Sequence, residues 1–454
     1  MRYPGSSSFS RRALLERAAV AGVLVAGGDL VDRIATASAA GSPAGYPAPN
    51  PAVTGETASL NVWLDPAYAS QAAYKRAISL FQKTYPTVSV HVTPVATADV
   101  LTRYKILTAA GAGNGVAPDL VQHHAYIFGA QGLAHESDAL WSAYGKQSTY
   151  LPVAIDDVQW RTDKFGITLV LDPVLTIVNE GMFHKAGVPL PTGRTTFSQF
   201  TQLVTRVQKA NGTRYAMILS ADGSTATAVV HTNGGALFKS TSGRNIATLT
   251  DRRVTDALSF YTQLGWKQRL APVPPTSTSP TYIAQLFAAG QAPAFFGSLA
   301  DLSLIRKADS SLSLALAPLP GGTTGRTAGS VNAGSSLVLT AATHKPHAAF
   351  ELAVWMVAEP VALAVAETMS VAPTVAGYYS NSYYHRNATA ATYFGAAQTA
   401  TPIGLDAYSE AYDLYTSALH SAFGGGDPAK LMASIQSRCQ VAMDKADAGI
   451  DSDG

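Results

Sequence analysis

Residues 107–124, "LTAAGAGNGVAPDLVQHH", carry the first pattern in the chain that could do chemistry. Gly111, Gly113 and Gly115 alternate with small residues, and His123 and His124 follow. Glycines so spaced cradle phosphate when a strand precedes them and a helix follows, because the helix N-terminus turns free N–H groups toward the anion. Here the order is reversed. Apolar spacing predicts a helix over 99–110 before the glycines, and "DLVQ" predicts a strand after them. At a helix C-terminus the dipole is negative and repels phosphate, so the glycines are read as a C-cap and connection. The two histidines stand at the carboxyl end of a strand in a βαβαβ unit, the edge where open α/β sheets bind ligands. Neighbours on an extended chain point to opposite sides, so the pair is not expected to share a metal. Two readings stay open: a ring stacked on or bonded to a ligand, or one core and one surface histidine.

Carboxylates form the second set. "FGITLVLDPVLTIVN" sets Asp172 and Pro173 between two apolar runs. Proline cannot donate a ladder hydrogen bond, so the pair marks a bend or a crossover between sheets. An acid placed there is hydrated, paired or bound to something. It either faces a cleft or caps a turn. Asp65, Asp172 and Asp222 could converge as a pair for sugar hydrolysis, but no spacing singles two of them out. There is no G-x-S-x-G, H-E-x-x-H, P-loop or C-x-x-C. Cys439 is the only cysteine, which rules out an intrachain disulfide and a zinc site built on cysteines. No metal and no cofactor is expected.

The elements that must position these residues read as α/β. At 454 residues the chain is long enough for two or three domains, and its 47% hydrophobic content fills their cores. With 32 basic and 30 acidic residues it gives no electrostatic reason to expect nucleic acid as partner. "SLNVWL" and "TVSVHV" alternate as strands around a helix that carries Ala73, Ala77, Leu80 and Phe81. Thr196 with Gln199 predicts a capping box ahead of Phe200, Leu203, Val204 and Val207. "RYAMIL", "APAFFG", "LALA" and "SSLVLT" read as strands, and the chain beyond His347 as almost wholly helical. Tyr408, Tyr412, Tyr415 and Leu419 make a stripe expected to be core, and Cys439 a small buried hydrophobe.

The first 39 residues are read as an export signal rather than fold. Arg11 and Arg12 precede an apolar run, and small-residue cleavage sites follow at 35–39. The Ser-Arg-Arg-x-Leu-Leu order resembles a twin-arginine signal, which makes the twin-arginine export machinery an expected partner. The run is shorter than the ~20 residues of a membrane span. No cysteine near the cleavage site offers a lipid anchor, so a soluble periplasmic or extracellular protein is expected. Residues 40–57, rich in Pro, Gly and Ala, are read as a flexible leader.

Taken in order, "LNVWLDP", "LTAAGAGNGVAPDLV", "IVNEGMFHKAGVPLPTGRTTFSQF", "LFAAGQAPAFFGS", "LALAPLPGG" and "HKPHAAFELAVWMVAEPVALAV" resemble the extracellular solute-binding proteins of carbohydrate-type ABC importers, the maltose-binding-protein class. The resemblance implies two α/β lobes joined by crossover strands, with a sugar in the cleft and no catalysis. It implies delivery to membrane permease subunits of an ABC transporter by a protein expected to be a monomer. The N-lobe is expected over 58–171 and 298–339, and the C-lobe over 172–297 and 340–454. Position by position it implies solute contacts at Trp63, Asp65 and Tyr68 after the first strand, and at His123, His124 and Tyr126 after the third. Further contacts are implied at Asp172, Phe296, Gly297 and Ser298 at crossovers, and at Asn332 in the following loop. Asp222, at the end of the "RYAMIL" run, joins these candidates. Where the family commonly has aromatic residues, this chain has Ser298-Leu299 and Gln122-His123. A polyol or another small polar solute, or a secreted carbohydrate-active enzyme, are the competing readings.

Overall fold

A computed structural model of the chain describes residues 43–109, 117–241, 244–275, 280–325, 329–332 and 334–452. The expected signal over 1–39 and the three glycines 111, 113 and 115 lie outside the described residues.

The chain opens β1 (Ala58–Leu64), α1 (Ala72–Thr84), β2 (Val88–Pro94), α2 (Thr97–Ala109) and β3 (Leu120–His123), the expected alternation. Then come α3 (Ala125–Gly129), β4 (Gly166–Val170), β5 (Leu175–Asn179), α4 (Phe197–Asn211), α5 (Gly223–Thr232) and α6 (Arg252–Trp266). β6 (Ala294–Gly297), α7 (Leu299–Ala308), β7 (Leu314–Ala317), β8 (Ser335–Leu339), α8 (Pro346–Met356) and α9 (Glu359–Met369) follow. The last two long helices are α10 (Ser409–Phe423) and α11 (Pro428–Ser452).

Two sheets organise the fold. The first runs β2-β1-β3-β8-β4 and the second β6-β7 on either side of β5. β1 pairs parallel with β2 and β3, while β8 runs antiparallel between β3 and β4. The near-continuous apolar strands agree with sheets covered on both faces. The capping box at Thr196 and Gln199 forms as expected. "RYAMIL" does not form a ladder, because only Ile218 bridges Phe295.

The lobe boundaries differ from those expected. β6 and β7 both pair with β5, so the chain does not change sheets at residue 298. It leaves the first sheet between β4 and β5, returns before β8, and leaves again near Ala372, which bridges Leu171. α8 is buried on every side and packs on α1, β4 and β8, which sets it in the first lobe. An all-round apolar helix needs cover on every side, and the first sheet provides it. Residues 43–57 also belong to this lobe: the Asn50 N–H donates to Tyr85 Oη at 2.7 Å, and Tyr46 packs on Trp355. They are anchored, and so differ from the flexible leader read from their composition. Tyr408, Tyr415, Leu419 and Cys439 are buried in the second lobe's helical layer. Among the described residues no single helix is long and apolar enough to cross a membrane.

Candidate functional site

β3 ends the first lobe's central strand, and its carboxyl end delivers the histidines. His124 stands at the start of α3, and its Nδ1 lies 2.8 Å from Asp157 Oδ1. Asp157 is fully buried and also accepts from Ser336 Oγ and from Asn332 Nδ2, the latter at 3.4 Å. Burial by itself would lower the His124 pKa, but the charge of Asp157 and the hydrogen bond to it outweigh that and raise it. His123 faces the other way, with its ring 5.3 Å from Phe128. Burial, then the charge of His124, hold its pKa at about 4, so it is neutral at pH 7. The two adjacent rings thus do different work, one paired with Asp157, the other neutral and packed.

Tyr126, two residues further on, reaches the second lobe. Its hydroxyl donates to both oxygens of Asp406, each at 2.8 Å. Asp406 belongs to the 3-10 turn Leu405–Ala407 that leads into α10. Burial raises its pKa, against the lowering effect of His124 and the Tyr126 hydroxyl. Beside this contact Trp160 of the first lobe meets Tyr408 edge-on at 5.3 Å, and Arg161 pairs with Asp447 at 3.5 Å. Tyr412 lies over the start of α5: a Cβ on Gly223 would stand 2.3 Å from its hydroxyl. Asp222 caps that helix, accepting the Thr225 N–H at 2.6 Å, and is exposed.

On the crossovers, Asp172 behaves as a helix cap. Its carboxylate accepts the backbone N–H groups of Leu299 and Ala300 in the first turn of α7. Its own N–H donates to Asn332 Oδ1 at 2.9 Å. Burial pushes its pKa up to about 6 despite those N–H groups. Asp301, one turn along, is pushed up to about 7 by burial, with Asp172 and Asp222 adding to it. The Ser298 N–H donates to Asp301 at 2.8 Å. Tyr68 comes close to this group: after burial, the charges of Asp172 and Asp65 raise its pKa.

Several sequence candidates have structural tasks instead. Phe296 is fully buried against Phe200 and Tyr261. Trp63 is buried within β1. A Cβ on Gly297 would stand 2.3 Å from the Phe295 ring, so this glycine is a packing requirement. Asn332 is fully buried between the crossovers. Asp65 caps the turn Pro66–Ala69 and accepts from Thr97 at 3.2 Å. Trp63, Phe296 and Asn332 are thus buried side chains, whereas Asp65 is half-buried.

Three residues that carry the arrangement escaped the sequence reading: Asp157, Asp406 and Tyr412. Asp157 stands in "AIDDVQW" and Asp406 in "GLDAYS", where nothing marks an acid as buried. Tyr412 falls in the aromatic stripe, yet it is only half-buried while Tyr408 and Tyr415 are core. Among the described residues no group of three or more His, Cys, Asp or Glu is placed to hold a metal.

The family model described as bacterial extracellular solute-binding protein matches residues 63–362. The chain belongs to that family. Solute binding, not catalysis, is the family's activity, and no curated protein matches the sequence. Solved structures share the two-lobe fold of this solute-binding protein. UgpB from Mycobacterium tuberculosis, in complex with glycerophosphocholine, has a TM-score of 0.72 at 20% identity, covering 85% of this chain and 98% of its own. The sugar-binding protein MalE from Xanthomonas citri reaches 0.72 at 16%, covering 87% and 100%. The GacH receptor of Streptomyces glaucescens, solved unliganded and with acarbose, reaches 0.71 at 19%, covering 86% and 99%. At these identities the likeness is one of fold.

Proposed function

We propose that this solute-binding protein captures a mono- or oligosaccharide between its lobes and hands it to the permease of an ABC importer. The observation that carries the reading is the meeting of polar and aromatic groups from both lobes. His124 and Tyr126 come from the first, Asp406 and Tyr412 from the second. Tyrosine faces pack on the apolar face of a pyranose, and carboxylates accept pairs of hydroxyls. Closing the lobes on a sugar would bring both sets onto it. The sugar-bound structures of similar fold support this reading. Tyr68, close to Asp172 and Asp65, is kept as a second candidate contact. A different small polar solute is the second reading, favoured by the glycerophosphocholine complex of a structure at equal TM-score.

Export belongs to the same proposal. Arg11 and Arg12 ahead of an apolar run support passage through the twin-arginine machinery, followed by removal of about 39 residues. A soluble periplasmic or extracellular monomer is part of the same reading.

The test is a thermal-shift screen of the chain against sugars, polyols and glycerophosphocholine, followed by calorimetry. A solute at a hundredfold over its dissociation constant stabilises the folded state by about 2.7 kcal/mol. Stabilisation by glycerophosphocholine alone would favour the second reading, and no response to any sugar would sink the first.

A further inference from the structure

We infer that Asp406 sets the charge selectivity of the cleft, favouring solutes that carry an amine, accepting neutral ones and turning anions away. The inference rests on the interlobe region being the solute site. Asp406 holds both carboxylate oxygens toward the first lobe, and the single hydroxyl of Tyr126 serves both. A carboxylate has about four lone-pair positions, so the Tyr126 hydroxyl and the backbone N–H of Asp406 itself leave accepting capacity open. The charged groups near enough to act on it are His124 and Asp157. His124 is already given to Asp157 at 2.8 Å. With His124 protonated and both carboxyl groups ionised, these three groups sum to one negative charge. Arg161, a cation that bridges the lobes, is bound to Asp447, which also accepts from Tyr408. The aromatic rings around Asp406 strengthen the case. Tyr126 touches it, the His124 ring lies 5.4 Å from Tyr126, and Tyr412 is within electrostatic reach. Aromatic faces beside a desolvated carboxylate stabilise an ammonium twice, through the ring quadrupole and through charge-assisted hydrogen bonds. Among the described groups that act on Asp406, the positive one is His124, and Asp157 offsets it, so an anion would meet an uncompensated like charge.

Three hexoses that differ in one substituent test this: D-glucosamine, D-glucose and D-glucuronate, titrated by calorimetry into the wild type and Asp406→Asn. The amide keeps the shape and still accepts from Tyr126, so the variant should fold, and a melt of each protein checks it. In the wild type, glucosamine should bind about tenfold more tightly than glucose, a difference of about 1.4 kcal/mol, with glucuronate weakest. Raising the salt should narrow the glucosamine advantage, and Asp406→Asn should abolish it. Glucuronate binding as tightly as glucosamine, or an advantage that survives in Asp406→Asn, overturns the charge selectivity and leaves the sugar reading standing. If neither these hexoses nor any sugar of the wider screen binds, the sugar reading falls and this inference falls with it.

Discussion

Asp157→Asn tests the pairing of His124 with almost no change in shape. Asp157 is fully buried and receives His124, Ser336 and Asn332. The amide keeps one acceptor oxygen but turns an NH2 donor toward one of these donors, which leaves a buried donor without an acceptor. Breaking a buried ion pair costs about 3–5 kcal/mol. A single unsatisfied buried donor costs about 1–3 kcal/mol. The first figure applies while His124 is charged, the second once it is neutral, so the loss depends on pH. Burial alone lowers the His124 pKa, yet Asp157 raises it overall. A raised folded-state pKa means that the folded protein holds the proton more tightly than the unfolded chain. The stability this supplies is complete below the unfolded value of about 6.5 and is lost as pH rises through the folded value. Thermal melts should therefore show the larger gap between wild type and variant at about pH 6, and a smaller one at about pH 9. At about 2–4 °C per kcal/mol, the gap at the lower pH is a fall in Tm on the order of 10 °C. A gap of equal size at both pH values, or none at either, would refute the charged pair.

Three further outcomes are expected. Asp172→Asn should gain stability relative to wild type as pH rises from about 4 to about 6. The folded pKa of Asp172 is pushed up to about 6, so the wild type loses stability across that window, by about 3 kcal/mol if the whole shift is expressed. The same variant should keep its solute affinity within about threefold, because backbone N–H groups hold both carboxylate oxygens, and a tenfold loss by calorimetry would make Asp172 a solute acceptor after all. Arg11→Lys with Arg12→Lys should leave the precursor unprocessed in a cell-fractionation assay, and normal processing would exclude the twin-arginine route. Exhaustive chelation should leave the melt unchanged, and a large fall in Tm would reveal a metal site.

The sequence made the scaffold legible and the site only partly so, for one physical reason. Strand alternation and helical spacing record which face of an element is buried, so β1 through β3, the capping box at Thr196 and the buried Cys439 could all be read. The same periodicity cannot say which sheet an element joins. "APAFFG" reads as a strand in either lobe, and only its antiparallel pairing with β5 keeps residue 298 in the second. Polar site residues leave a still fainter trace. Asp172 was conspicuous because apolar runs flank it, and its conspicuousness reflects a cap on α7. Asp406 was inconspicuous because the fold alone brings it to Tyr126, across 280 residues of sequence.

On the proposed reading, closure and selection draw on the same connected residues. Asn332 accepts the N–H groups of Asp172 and Gly334, on the two crossovers, and its amide reaches the Asp157 that holds His124. A solute can shift the equilibrium between open and closed lobes only by the difference in its affinity for the two forms. Moving that balance from 1:99 to 99:1 takes about 5.5 kcal/mol. Hydrogen bonds to charged groups contribute about 1.5–3 kcal/mol each, so two to four of them suffice if they form only in the closed state. Contacts made within one lobe add affinity and no closure. On the proposed reading, Asp406 and Tyr412 on one lobe, with His124 and Tyr126 on the other, form the arrangement in which a single solute spans both. On the proposed reading, truncating either side should therefore reduce lobe closure as well as affinity. Truncating a contact that lies in one lobe only should reduce affinity alone.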